Sequence, residues 1–272
     1  MQRGANWSWT ARSPSSFTGF VEFVRALSTV VVGAVVGFLG GLFGKGGSAV
    51  ATPLLHAAGV PAFAAVASPL PATIPSTLVA ARRYRDLELV DGRLLAWTVA
   101  AGVPATLAGG LASRYLGGGA LVVVTELVLL VLGVQIMLGR GDPAERVPGG
   151  DDLARWRLGA VALGAGFAAG LLANAGGFLL APLFVTVLRR PLKVAFGTSL
   201  AAAAVLAVPG TVTHALLGHV DWGITALFAA ASMPLASLGA RVALRTRTER
   251  LEHHYGAFLV LTSLALLALA AA

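Results

Sequence analysis

A single lysine, Lys45, stands in the run Gly44-Lys45-Gly46-Gly47-Ser48 and is the only charge between Arg25 and Arg82. An ammonium at the middle of a bilayer costs at least ~2.5 kcal/mol, so such a position calls for a reason. A second run, Ala173-Asn174-Ala175-Gly176-Gly177, places Asn174 where the first has Lys45. Glycines lower helix stability by about 1 kcal/mol each and permit positive φ, so both runs read as interruptions of helices. Helices restarting near Ser48 and Gly177 would aim unpaired N–H groups and a partial positive charge into the interruption, which suits an anion. Lys45, Gly46, Gly47 and Ser48 with Asn174, Ala175, Gly176 and Gly177 are therefore the candidate anion site. A plainer reading of Lys45 stands beside this one: the side chain snorkels from a shallow break or pairs with a buried carboxylate.

Three hydroxyls, Ser68, Thr198 and Ser199, lie on the segments that follow the breaks and can offer donors to the same ligand. Bonding back to their own helix carbonyls is the commoner use of such residues. Glu126, inside an apolar segment, is an acid that can relay a proton, couple a second ion or pair with Lys45, and a structural or interfacial role stands equally beside these. Asp91, Asp221, His214 and His219 fall at segment ends and read as solvated interface.

Other chemistry finds little support. The chain has no cysteine, which removes disulfides, thiolate nucleophiles and cysteine-ligated metals. No HExxH or carboxylate-rich metal motif occurs, so no metal and no cofactor are expected. Gly197-Thr198-Ser199 resembles only the start of a serine nucleophile motif, and His253 and His254 adjoin an arginine-rich stretch at a membrane surface, so no catalytic residue is assigned. A nucleotide-binding P-loop is absent, and the Lys and Arg residues are scattered through short loops rather than gathered into a nucleic-acid face.

What must position the candidate site is a membrane. Of 272 residues, 57% are hydrophobic and 12% charged, more apolar surface than one soluble core of that size can bury. Eight apolar segments, Ala26–Ala58, Ala62–Ala81, Leu94–Ser113, Ala120–Leu138, Leu158–Leu188, Val194–Leu217, Trp222–Ala240 and Tyr255–Ala271, are each read as helical, because an open strand cannot satisfy its backbone in lipid. The fold class is thus an all-α polytopic membrane protein. Residues 1–25 form a partly interfacial, uncleaved leader, 26–138 a first transmembrane repeat, 139–157 a polar cytoplasmic linker and 158–272 a second repeat.

The halves match in order. At an offset of 129, Gly41, Leu42, Gly47, Pro53 and Leu54 fall on Gly170, Leu171, Gly176, Pro182 and Leu183. At an offset of 130, Leu70, Val90, Asp91, Pro104 and Gly109 fall on Leu200, Val220, Asp221, Pro234 and Gly239. Equivalent loops carry opposite charge bias: Arg82, Arg83, Arg85 and Arg93 in one half answer to a loop around His214–Asp221 with no Lys or Arg. Under the positive-inside rule the halves then form an inverted repeat. Inversion requires that one segment per half not cross fully. Leu158–Leu188, roughly 46 Å as a helix, is too long for one upright crossing and too short for two, so the first and fifth segments are expected to be glycine-broken and re-entrant. The scheme leaves the N-terminus outside, against the preference of Arg3, Arg12 and Arg25 for the inside.

The stretches GGLFGKGGSAVATPLL at Gly40–Leu55 and AGLLANAGGFLLAPLF at Ala169–Phe184 resemble the paired glycine-rich signatures of the TauE/SafE family of sulfite exporters and sulfonate permeases, and the resemblance extends through GTSL at Gly197–Leu200 and GHVDW at Gly218–Trp222. The chain departs from the family pattern where Lys45 and Asn174 replace an aliphatic residue. The resemblance implies a secondary transporter of the bacterial cytoplasmic membrane, moving sulfite, an organosulfonate or a related sulfur oxyanion by alternating access. Its implied partners are that anion, the bilayer and a coupling proton or ion; a homo-oligomer is compatible. A passive anion channel and an intramembrane enzyme are the competing classes.

Overall fold

The computed structural model describes residues 16–44, 48–112, 118–138, 155–171 and 177–271. They form eleven helices and, among the described residues, no strand: α1 (Ser16–Phe43), α2 (Ser48–Ala57), α3 (Ala62–Ala67), α4 (Pro69–Arg85), α5 (Gly92–Ala112), α6 (Gly118–Met137), α7 (Arg155–Leu171), α8 (Gly177–Thr186), α9 (Leu192–Leu216), α10 (Trp222–Arg245) and α11 (Thr248–Ala271). Five of these helices, and α3 and α4 taken together over Ala64–Arg85, are long and apolar enough to cross a membrane, whereas α7 and the described apolar part of α6 are shorter. The protein is a multi-pass membrane protein. A helix closes its backbone hydrogen bonds within itself, which is why apolar segments in lipid take this form. Local signals fix the starts: Asp221 caps α10 by accepting from Gly223 N and Ile224 N, and Asp91 Oδ1 accepts from Leu94 N at the head of α5.

Glycine decides how the helices pack. Along α1, Gly33, Gly37 and Gly41 meet Phe228, Ser232 and Ala236 of α10 in rising order, so the two helices run parallel and touch backbone to backbone. The same device joins α7 to α5, with Gly166 against Gly102 and Gly170 against Thr106. In lipid there is no hydrophobic drive between helices, so small residues at four-residue spacing supply close van der Waals contact. A third pair, α6 and α11, meets at Gly133 and Gly256. Between them lies the main core, where Phe43 stacks on Phe258 with ring centroids 4.8 Å apart and Phe196 meets Tyr255 edge-on at 4.8 Å. Tyr84, fully buried, donates its hydroxyl to Gly41 O at 3.2 Å and ties α4 to α1.

Several helices overrun the hydrophobic segments. α1 begins at Ser16, within the stretch expected to be the leader, and α10 extends to Arg245. α11 starts at Thr248 rather than Tyr255, carrying Arg250, Glu252, His253 and His254 in its first turns. These residues favour helix well enough, while hydropathy marks only the part of a helix that lipid covers. The second segment, expected as one helix, forms one span over Ala64–Arg85 whose hydrogen-bond ladder is interrupted at Ser68, where the backbone stays helical, because Pro69 has no N–H to continue it.

Candidate functional site

Lys45, Gly46, Gly47, Asn174, Ala175 and Gly176 lie outside the described residues. The chain on either side is defined: α1 ends at Phe43 and α2 opens at Ser48, α7 ends at Leu171 and α8 opens at Gly177. Gly44 closes α1 in the left-handed region at φ 63°, a conformation that suits glycine. A Cβ at Gly44 would stand 2.7 Å from Phe196 Cα and 2.9 Å from Ser199 Oγ, so α9 presses directly on the end of α1. Ser199 Oγ points its proton at Gly44 O, 2.9 Å away, and also lies 3.0 Å from Phe196 O. Its hydroxyl therefore holds the carbonyl of Gly44, directly after α1.

The other two predicted hydroxyls also serve the backbone, and they do so reciprocally. Thr198 Oγ1 accepts from Asp91 N at 2.9 Å, and Ser68 Oγ accepts from Asp221 N at 3.0 Å. Ser68 with Thr198, and Asp91 with Asp221, are the residues matched at the 130-residue offset. Ser68 O further accepts from Thr225 Oγ1 at 2.9 Å. All three hydroxyl residues are fully buried, and Glu126 on α6 is 5% exposed.

Beside the end of α1 the structure adds residues that the sequence had not singled out. A cavity of about 10 Å³, the size for one water, lies among Gly37, Gly41, Thr73, Ser76, Thr77 and Ser232. Each hydroxyl gives its proton to its own helix: Thr73 to Pro69 O at 2.9 Å, Ser76 to Ala72 O at 2.7 Å, Thr77 to Thr73 O at 2.7 Å, and Ser232 to Ala229 O at 3.4 Å. The remaining lone pairs make the cavity wall a set of acceptors. The i, i+3, i+4 spacing of Thr73, Ser76 and Thr77 was visible as one helix face. That a cavity faced it was not.

A model of the family described as sulfite exporter TauE/SafE matches residues 29–266. The chain belongs to the TauE/SafE family. It is 29% identical over 228 residues to a probable membrane transporter protein of Xylella fastidiosa (strain 9a5c), covering 80% of this chain and 84% of the relative. It is 26% identical over 239 residues to the probable membrane transporter protein YunE of Bacillus subtilis (strain 168), covering 78% and 85%. No solved structure matches it. Family and relatives point to a membrane transporter rather than an enzyme.

One acid of this TauE/SafE chain departs from expectation. Asp91, expected to be solvated, is a partly buried ion-pair partner of the buried Arg190: its Oδ2 lies 3.0 Å from Arg190 Nη2, with side-chain exposures of 17% and 7%. Asp221 caps α10 from an exposed position, as expected. His214 and His219, partly buried, bring their Nδ1 atoms within 3.3 Å across the α9–α10 turn.

Proposed function

We propose that the chain is a secondary transporter that moves a small anion, sulfite, an organosulfonate or a related sulfur oxyanion, across the bacterial cytoplasmic membrane by alternating access between two inverted halves. The observation that carries this reading is the reciprocal pair of hydrogen bonds, Asp91 N to Thr198 Oγ1 and Asp221 N to Ser68 Oγ. Equivalent residues exchanged between halves are what a pseudo-two-fold axis in the membrane plane produces. The matched glycine contacts, Gly37 on Ser232 with Gly166 on Gly102, support the same relation, as do Gly41 on Ala236 with Gly170 on Thr106.

In this reading the anion sits between the ends of α1 and α7, at Lys45, Gly46, Gly47 and Ser48 from one half and Asn174, Ala175, Gly176 and Gly177 from the other. Lys45 supplies the charge, Asn174 a neutral donor, and the N-termini of α2 and α8 their free amides. Ser199 positions the first break through Gly44 O, while Thr198 and Ser68 hold the turns on either side. Glu126 is the coupling acid. With the Arg82–Arg93 and Arg245–Arg250 stretches in the cytoplasm, the membrane potential drives an anion outward at ~2.3 kcal/mol per charge per 100 mV. Export then needs no further energy source, whereas uptake needs a coupled proton or ion.

The test is flux of radiolabelled sulfite, sulfate, thiosulfate and small sulfonates into proteoliposomes at a fixed potential, for the wild type, Lys45→Ala and Glu126→Gln. Saturable flux of one anion, lost in Lys45→Ala, is expected; loss of coupling alone is expected for Glu126→Gln. Non-saturating flux would make the protein a passive channel, and full flux in Lys45→Ala would remove the site from the breaks.

A further inference from the structure

At 100° per residue, Leu78, Arg82 and Arg85 fall on the face of α4 turned away from Thr73, Thr77 and Tyr84. On that face a groove of about 520 Å³ runs between α4, α9 and the start of α5. Its walls are Leu78, Leu95, Ala201 and Val205, and its only polar side chains are the guanidiniums of Arg82 and Arg85. Leu78 and Val205 are 51% and 38% exposed, so the groove opens sideways, where a membrane protein meets acyl chains. Neighbouring cations are engaged: Arg83 donates to Ser237 Oγ, Arg190 pairs with Asp91, and Lys193 donates to Leu244 O. Arg82 and Arg85 have no such partner among the described residues.

We infer that this groove is a binding site for one anionic phospholipid of the cytoplasmic leaflet, with its phosphate between Arg82 and Arg85 and an acyl chain along the apolar wall. The volume lies within the range of small-molecule sites, roughly 300–1,000 Å³. Two guanidiniums one turn apart match the several acceptor oxygens of a phosphate. A free inorganic anion would meet the same two charges, but the rest of the wall offers it no donor and would strip its water without replacement. Only a ligand that is anionic at one end and apolar along its length fits both parts. The positions matched to Arg82 and Arg85 at the 130-residue offset are Val212 and Ala215, so the basic groove exists at one end of the α4–α9 pair only. That end is the arginine-rich one, where anionic lipids attract juxtamembrane cations. The inference needs the membrane topology of the proposed function but not its substrate.

The experiment is native mass spectrometry of the purified full-length protein titrated with palmitoyl-oleoyl phosphatidylglycerol or the corresponding phosphatidylcholine. Wild type is expected to retain one phosphatidylglycerol preferentially. Arg82→Gln/Arg85→Gln should weaken it about tenfold or more, the loss expected for charge-assisted hydrogen bonds. Val205→Trp, which fills the groove and leaves both charges, should weaken it comparably, whereas Arg250→Gln should not. Matching unfolding curves in phosphatidylcholine confirm that each variant is folded. Equal retention by wild type and the double arginine variant overturns the site. Loss in the arginine variant with full retention in Val205→Trp, together with displacement by inorganic phosphate, overturns the lipid and leaves a simple anion site.

Discussion

Asp91 and Asp221 occupy matched positions and both cap a helix, but only Asp91 is also locked to a buried guanidinium, so the same substitution should have very different costs at the two places. Asp91→Asn keeps an amide oxygen to accept from Leu94 N, as Asp91 Oδ1 does at 2.9 Å. Its amide nitrogen would then face Arg190, donor against donor, leaving a guanidinium with 7% side-chain exposure without its counter-ion. Breaking a buried pair by removing one partner costs about 3–5 kcal/mol. At Asp221, which is exposed, Asn is as good a cap as Asp, and the loss should stay within a few tenths of a kcal/mol. Equilibrium unfolding in mixed dodecyl maltoside and dodecyl sulfate micelles, followed by circular dichroism, measures both. Arg190→Met should cost less than Asp91→Asn, because the carboxylate it strands is the more exposed partner. The double variant Asp91→Asn/Arg190→Met should recover much of the loss, since the buried charge has gone. Equal stabilities of Asp91→Asn and Asp221→Asn would refute the reasoning and mean that water already screens the pair.

Thr198→Val keeps the side chain's shape but strands Asp91 N–H, and Ser68→Ala strands Asp221 N–H; each should cost about 1–3 kcal/mol in the same unfolding assay. Gly164 and Gly166, two residues apart on α7, should respond oppositely to alanine: nothing lies within 4 Å of a Cβ at Gly164, whereas one at Gly166 would stand 2.6 Å from Gly102 O. Thermal melts should therefore show Gly164→Ala neutral or up to about 1 kcal/mol stabilising through helix propensity, and Gly166→Ala destabilised by about 1–3 kcal/mol through overpacking. The chain has no cysteine, so Ser68→Cys/Asp221→Cys can be oxidised alone; under alternating access the cross-link should stop anion flux and a reductant should restore it. Undiminished flux in the cross-linked protein would mean that this contact does not open during transport.

The sequence made the helices legible because the bilayer imposes one rule on every apolar segment, whereas most of both glycine runs, read as interruptions, lies outside the described residues. The partners of those helices were not legible. Gly33, Gly37 and Gly41 announce a close contact by their spacing, but nothing local says that α10, almost 200 residues on, supplies the other side. The three hydroxyls were candidate ligand donors, with bonds back to their own helices as the commoner use. Ser199, Thr198 and Ser68 instead meet Gly44, Asp91 and Asp221, each more than 100 residues away in the chain, which no periodicity encodes. Asp91 was misjudged for a related reason. Nothing in the local sequence around Asp91 shows that folding brings Arg190 against the α4–α5 turn and leaves the pair little contact with water.

The reciprocal contacts also limit how the proposed halves can move. Ser68 precedes α4 and holds the turn after α9, while Thr198, near the start of α9, holds the turn after α4. The two helices are therefore antiparallel, and the two contacts lie at opposite ends of the pair. A rocking motion that opens one end must give up one of them and can keep the other. Opening at the Asp221 end exposes an amide next to an already solvated carboxylate, where water replaces the lost hydroxyl and the net cost is about 1 kcal/mol. Opening at the Asp91 end must also part or carry along the Asp91–Arg190 pair, which water reaches poorly. The two ends of an otherwise matched element thus have unequal resistance. Under the proposed topology the weaker end faces outside, so the empty protein should favour the outward-open state, and a mutation that removes the ion pair shifts that balance toward the cytoplasm.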